Sequence, residues 1–199
     1  MLSKYFRYIR RKLQEFPFWL LKIFFGFDNW HVYASSRPKY VKVVWDIANS
    51  LKPRNKVVEI GCGLGNLLEG LKYESKIGID IDQRVIRAAR FIHSIRGSEI
   101  IFKNSDFEER YRAKDANLVV MVNWIHSIPA EELRKKINVI INNILSENGY
   151  LLCEGVSVYK YYHSKSFFEE FGEIKISHLV DGREIHLIKV RNKFVIPKS

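Results

Sequence analysis

The chain has 199 residues, of which 47% are hydrophobic and 28% charged, with a formal net charge of +11. These are the proportions of one globular domain with a full core and a small appendage. The charge is uneven: residues 1–56 hold 12 Lys and Arg against 3 acids and the rest 21 against 19, which argues against a body-wide nucleic-acid surface and for a local basic patch facing an anionic partner.

The first 27 residues are basic and aromatic. Lys4, Arg7, Arg10, Arg11 and Lys12 alternate with Tyr5, Phe6, Ile9 and Leu13 at roughly helical spacing, and Pro17 breaks the pattern before a second apolar turn. Three readings stand: an interfacial helix on an anionic membrane, a helix capping the protein's own core, and an organellar transit segment. The longest apolar run, Phe16 to Phe27, contains Lys22 and falls short of the roughly 20 residues that a membrane span needs. No small-residue cleavage site follows it, so no secretory leader is expected. Residues 1–37 read as a basic aromatic helical extension or lid, and 38–199 as the main domain.

In that domain, Pro38 opens a helix over 38–52, with Val41, Val44, Trp45, Ala48 and Leu51 on one face. Strands and helices then alternate. Strands are expected at 57–60, 76–80, 99–102, 117–123 and 150–156, and helices at 64–72, 83–95 and 130–145, the last stopped by Gly149. At the end, EIKISHLV, Asp181-Gly182 and REIHLIKV form a hairpin signature. The expected fold is α/β: a Rossmann-like seven-stranded sheet, mostly parallel, finished by an antiparallel hairpin and covered by helices on both faces. Cys62 and Cys153 sit in apolar strand contexts, so no disulfide framework is indicated and a reducing compartment fits. No Cys/His spacing suggests a metal site.

The stretch VVEIGCGLGNLL, 57–68, places Gly61, Gly63 and Gly65 just beyond a strand. In an open α/β sheet ligands bind there, and glycine lets the backbone approach them. The dinucleotide fingerprint needs a glycine at 66, which is Asn, and no Gly-Lys-Ser/Thr marks a phosphate loop.

This stretch resembles the first motif of the class I S-adenosylmethionine-dependent methyltransferases. The resemblance spans about residues 38–190 and rests on four further features in register. GIDID ends a strand with Asp80, 21 residues after Glu59. The resemblance makes Asp80 the ribose acceptor and places Ile81 on the adenine, whereas Asp82 reads as a helix N-cap. In KNSDF, Asp106 and the backbone of Phe107 would meet the adenine amino group. The loop VVMVNWIHSIP brings Asn123, Trp124 and His126 near the methyl group. The amino-methyltransferase form has Pro-Pro-aromatic after the Asn, which this loop lacks, so transfer to a nucleobase amine is not supported. The hairpin is the last feature.

The resemblance implies S-adenosylmethionine as cofactor, Gly61 and Gly63 against its methionine part, Cys62 as a small residue beneath it, and Glu59 organising the turn. In-line methyl transfer needs alignment above all, and a hydroxyl or amine acceptor gains from a base. His126 is the first candidate for that base, with Asn123 beside it. Trp30, His31, Tyr33 and Arg37, and Tyr159, Tyr161, Tyr162 and His163 after the fifth strand, are candidates for the acceptor pocket, each weighed against an anchoring role. The function expected is a methyltransferase for a small molecule or a sugar- or lipid-linked precursor, cytoplasmic and peripheral to a membrane that residues 1–27 contact. An RNA methyltransferase and a non-catalytic cofactor-binding module are the alternatives. The near-neutral body argues against the first and the intact Glu59, Asp80 and Asp106 against the second.

Overall fold

The computed structural model describes residues 19–34, 38–106, 115–158 and 160–191, excepting the side chains of 32–34. A first helix, α1, covers 19–25 of the described residues, and α2 spans Asn29–Ala34. The body then runs α3 (Pro38–Ser50), β1 (Lys56–Ile60), α4 (Asn66–Glu69), β2 (Ser75–Asp80), α5 (Gln83–Ile95), β3 (Ile101–Asn104), β4 (Ala116–Met121), α6 (Ala130–Asn143), β5 (Leu145–Val156), α7 (Lys165–Glu169), β6 (Gly172–Val180) and β7 (Arg183–Val190). The seven strands form one sheet in the order β3-β2-β1-β4-β5-β7-β6. β1 to β5 pair in parallel, and β7 runs antiparallel to both its neighbours. The expected architecture holds.

Period-two alternation distributes the strands' side chains to two cores. Val58, Ile60, Val119, Met121 and Leu151 face α6 and α7, while Val57, Leu118, Val120 and Leu152 face α3, α4 and α5. Ile137, Ile140 and Leu133 on α6 are fully buried, as their spacing predicts. Asp181 and Gly182 both hold positive φ, 49° and 74°, the backbone that a two-residue hairpin turn requires.

Three local expectations are corrected. The helix expected over 64–72 ends at Glu69. Side chains of α3 intercept its continuation: the Trp45 indole donates to the Leu67 carbonyl at 2.7 Å, and Asn49 bonds the Gly70 carbonyl and the Lys72 amide. The third strand lies at Ile101–Asn104, not 99–102, because pairing with β2 sets its ends, Ile77 opposite Ile101 and Asp80 opposite Asn104. Gly149 does not stop a helix. α6 ends at Asn143, and Gly149 lies inside β5, where a Cβ would strike the Leu145 side chain at 2.5 Å.

The chain passes from β1 to β2 to β3 on one side, then crosses to β4 on the other side of β1. The strand order therefore reverses between β1 and β4, and the crevice beyond their carboxyl ends is where this topology accommodates a ligand.

Candidate cofactor and acceptor site

A cavity of about 370 Å³ opens at that reversal. Its floor is the turn after β1. Gly61, Gly63 and Gly65 have φ of 70°, 54° and 78°, the left-handed region that glycine enters without cost. The surroundings also require the absence of a side chain: a Cβ on Gly61 would stand 2.5 Å from the Trp124 ring, and one on Gly65 2.6 Å from Phe102. The amides of Gly61 and Cys62 both donate to the Ile79 carbonyl, which ties the turn to β2.

Asp80, at the end of β2, is 8% exposed and lines the cavity. Its Oδ2 accepts the Gly63 amide at 2.9 Å and its Oδ1 the Asp82 amide at 3.0 Å. A carboxylate offers about four acceptor positions, so capacity for a diol remains after these two bonds. Asp82 accepts the Arg84 amide at 2.8 Å and caps α5, the role expected of it.

Glu59 departs from expectation. The turn is organised by Asp80 and the Ile79 carbonyl, and among the described residues no side-chain hydrogen bond reaches the Glu59 carboxyl. Its carboxyl is buried on the cavity wall with Oε2 unpartnered. Burial, with the Asp80 charge beside it, pushes this carboxyl well above the usual carboxylate range. An unsatisfied buried acceptor is costly unless a ligand meets it, and an ammonium donor would satisfy it. Cys62 is also buried, and burial pushes its thiol up, so it is inert as a nucleophile. A Cβ on Gly78 would lie 2.8 Å from its sulfur, so Cys62 is packing against β2.

Ile81, 76% exposed, and Asp106 border the cavity beyond β2 and β3. Phe107 lies outside the described residues. On the β4 side, Asn123 and Trp124 line the cavity, and the Trp124 indole is fixed by a 2.7 Å bond to the Ile60 carbonyl. Trp30 and His31 of α2 complete the wall. The His31 ring faces Gly63, where a Cβ would come within 3.0 Å of its Nδ1. Val41, Ile128 and Lys136, none of them a site candidate from the sequence, also border the cavity.

His126 is placed differently from Asn123 and Trp124. It is 7% exposed, is not among the lining residues, and packs edge-on against Trp30 with ring centroids 6.4 Å apart. Its Nδ1 lies 3.5 Å from Glu154 Oε1. Glu154, fully buried near the end of β5, gathers a cluster that the sequence reading missed. It accepts the Asn123 amide, the Tyr40 hydroxyl at 2.9 Å and Arg183 Nη1 at 2.6 Å. Arg183 also bonds the Asn123 side chain at 3.3 Å and lies over the Tyr40 ring. Burial alone would raise the Glu154 carboxyl, but His126 and the Arg183 guanidinium hold it below its ordinary value. The cluster holds Asn123 at φ 72°, a left-handed conformation that Asn tolerates better than most residues. The available signal was one acid inside the apolar strand YLLCEGV.

The candidates after β5 lie away from the cavity. His163 is buried, and its Nε2 contacts the Ile125 and Ile128 carbonyls at 3.1 and 3.0 Å, pinning the loop after β4. Burial lowers its pKa, so the ring is neutral. Tyr162 is 44% exposed and donates to Glu184 at 3.1 Å. Tyr161 sits beneath the Lys160 ammonium. Arg37, Tyr159 and the Tyr33 side chain lie outside the described residues.

The family profile of a methyltransferase domain matches residues 33–187. No curated protein matches the sequence. Among solved structures, the chain is similar to the PH0226 protein of Pyrococcus horikoshii OT3, with 15% identity, TM-score 0.66, and 77% of this chain and 91% of that one covered. It is similar to the N-methyltransferase NodS of Bradyrhizobium japonicum WM9 in complex with S-adenosyl-L-homocysteine, with 15% identity, TM-score 0.66, and coverage of 77% and 86%. A third is an S-adenosylmethionine-dependent methyltransferase of Clostridium acetobutylicum ATCC 824, with 14% identity, TM-score 0.61, and coverage of 77% and 90%. At these identities the structures establish the shared fold.

Proposed function

Since the chain belongs to the methyltransferase-domain family, we propose that it methylates a small molecule or a sugar- or lipid-linked precursor, at a membrane surface. The enzyme class is S-adenosylmethionine-dependent methyltransferase. The observation that carries the residue roles is the cavity at the β1/β4 reversal, where Asp80, Glu59 with its unpartnered Oε2 and the glycine turn meet Trp30, His31 and Trp124.

S-adenosylmethionine supplies a methyl group already activated on a sulfonium, so the chain's task is orientation and exclusion of water. Asp80 accepts the ribose hydroxyls, Asp106 and the Phe107 backbone receive the adenine amino group, and Ile81 packs on the ring. The turn backbone at Gly61, Cys62, Gly63 and Gly65 borders the methionine part, and Glu59 takes its ammonium. Asn123, held by Glu154 and Arg183, presents its backbone beside the acceptor. Trp124, Trp30 and His31 form the aromatic walls. His126, packed against Trp30 with its Nδ1 3.5 Å from Glu154 Oε1, stands behind the cavity wall and positions Trp30 rather than meeting the acceptor. The basic aromatic segment 1–27 supports the membrane clause, and among the described residues no helix is long and apolar enough to cross a bilayer.

Calorimetry with S-adenosylhomocysteine tests the site. Asp80→Ala removes acceptors of two charge-assisted hydrogen bonds and should weaken binding by about 100-fold. Millimolar ligand giving no heat with the unsubstituted protein would overturn the reading. Labelled cofactor with fractionated extract then reports which pool, lipid, glycan or small molecule, receives the methyl. Label entering RNA alone would replace the acceptor class.

A further inference from the structure

The helix at 19–25 buries one side and exposes the other. Leu21 and Phe25 pack onto Val85, Ala88 and Ile92 of α5, together with the buried Phe27. The opposite side presents Trp19 and Leu20, each 49% exposed, Ile23 at 61% and Phe24 at 80%. A water-facing helix side normally carries charge. α5 extends this apolar surface with Phe91, 48% exposed, and Ile95, 71% exposed. The ring of Phe25 joins the two helices, with centroids 5.0 Å from Phe24 and 5.7 Å from Phe91.

Basic side chains border this surface. α5 carries Arg84, Arg87 and Arg90 and no acid, and Arg87 lies one turn before Phe91 on the exposed face. Lys22 is the one charged residue of 19–25. The acids nearest in sequence are occupied as caps: Asp28 accepts the Trp30 amide at 3.0 Å, and Asp82 pairs with Arg84. Contiguous exposed apolar side chains, a Trp among them, bordered by cations, match the interfacial layer of an anionic bilayer.

We infer that α1 and the outer face of α5 together form a docking surface for an anionic lipid membrane. The placement has a consequence for the site. Only Gly26–Asp28 separate α1 from α2, and α2 carries Trp30 and His31 on the cavity wall. Gly26, at φ 75°, closes α1 by donating to the Lys22 carbonyl and leaves open space about its Cα. Lipid docking therefore fixes the segment that forms the cavity's aromatic wall, and it brings that wall to where a lipid-linked acceptor resides. This deepens the membrane clause of the proposed function and is independent of the transfer chemistry.

Flotation of the full-length protein with phosphatidylcholine vesicles, with and without phosphatidylglycerol, tests it. Binding is expected only to the anionic vesicles and should weaken with salt. Phe24→Ser combined with Phe91→Ser should lower partitioning by at least about tenfold, and Arg87→Glu by about fivefold or more. All three substitutions are at exposed positions, and unchanged S-adenosylhomocysteine binding by the variants confirms the fold. Equal partitioning of the double variant and the unsubstituted protein would overturn the inference, wherever else the chain touches lipid. So would absence of binding to anionic vesicles, or a concentration-dependent dimer that Phe24→Ser dissolves, which would assign the face to a second copy of the chain. Each of these failures leaves cofactor binding, and with it the methyltransferase assignment, untouched.

Discussion

The two sides of the cavity are built by opposite means. The cofactor wall, Glu59 to Asp82, comes from one stretch of chain, and backbone geometry shapes it: left-handed glycines and amides aimed at the Ile79 carbonyl and Asp80. The Glu154 cluster beneath Asn123 draws on Tyr40, Asn123, His126 and Arg183, residues of α3, the loop after β4, and β7. Side-chain charge holds it together, and no two of its elements are adjacent in sequence. Where backbone conformation makes a site, spacing records it; where buried charge makes a site, only the folded neighbours record it.

The largest expected effect separates the two sides. Glu154→Ala leaves the Arg183 guanidinium buried without its carboxylate and strips the acceptor from Tyr40 and the Asn123 amide. It should cost about 3–5 kcal/mol of stability, read from urea unfolding. A loss below about 1 kcal/mol would mean that the cluster does not tie the hairpin to the loop after β4. On the cofactor wall, Gly61→Ala places a side chain in a left-handed backbone against the Trp124 indole. It should cost about 1–3 kcal/mol and weaken S-adenosylhomocysteine binding, with the loss shown by calorimetry beside the melting curve. Unchanged affinity would show that Trp124 yields and that the turn is less constrained than its geometry implies.

Glu59 sharpens the contrast through pH. Its folded-state pKa is raised, so the folded protein holds a proton that the unfolded chain releases above about pH 4.3. The contribution is at its most favourable below that pH and is lost as pH rises toward the folded pKa. Glu59→Gln removes this loss. The variant should match the unsubstituted protein in urea unfolding near pH 4 and exceed it increasingly toward neutrality, while binding the cofactor product more weakly. A stability difference independent of pH would mean that the carboxyl is ionised in the free protein.

The sequence carried the strands of the parallel sheet, the hairpin at Asp181-Gly182, the capped helix Gln83–Ile95 and the line of Glu59, Gly61, Gly63, Asp80 and Asp106 along the cavity. Each depends on local periodicity, on φ preference, or on a fixed distance from a strand end. The short α4 was illegible because Trp45 and Asn49, arriving from α3, take the carbonyls that would have prolonged it. His163 was read as a pocket residue because its neighbours are aromatic, whereas the structure uses it to pin two loop carbonyls.

The sequence by itself determined the fold and the glycine turn after β1, because strand periodicity and the φ preference of glycine are recorded within a few residues. The tertiary structure alone decided that Asp80, not Glu59, ties down the turn, that His126 sits against Glu154 behind Trp30, and that α1 lies on α5 with its aromatic side outward. Those outcomes depend on which groups burial deprives of water, and that is set by packing between elements far apart in the chain.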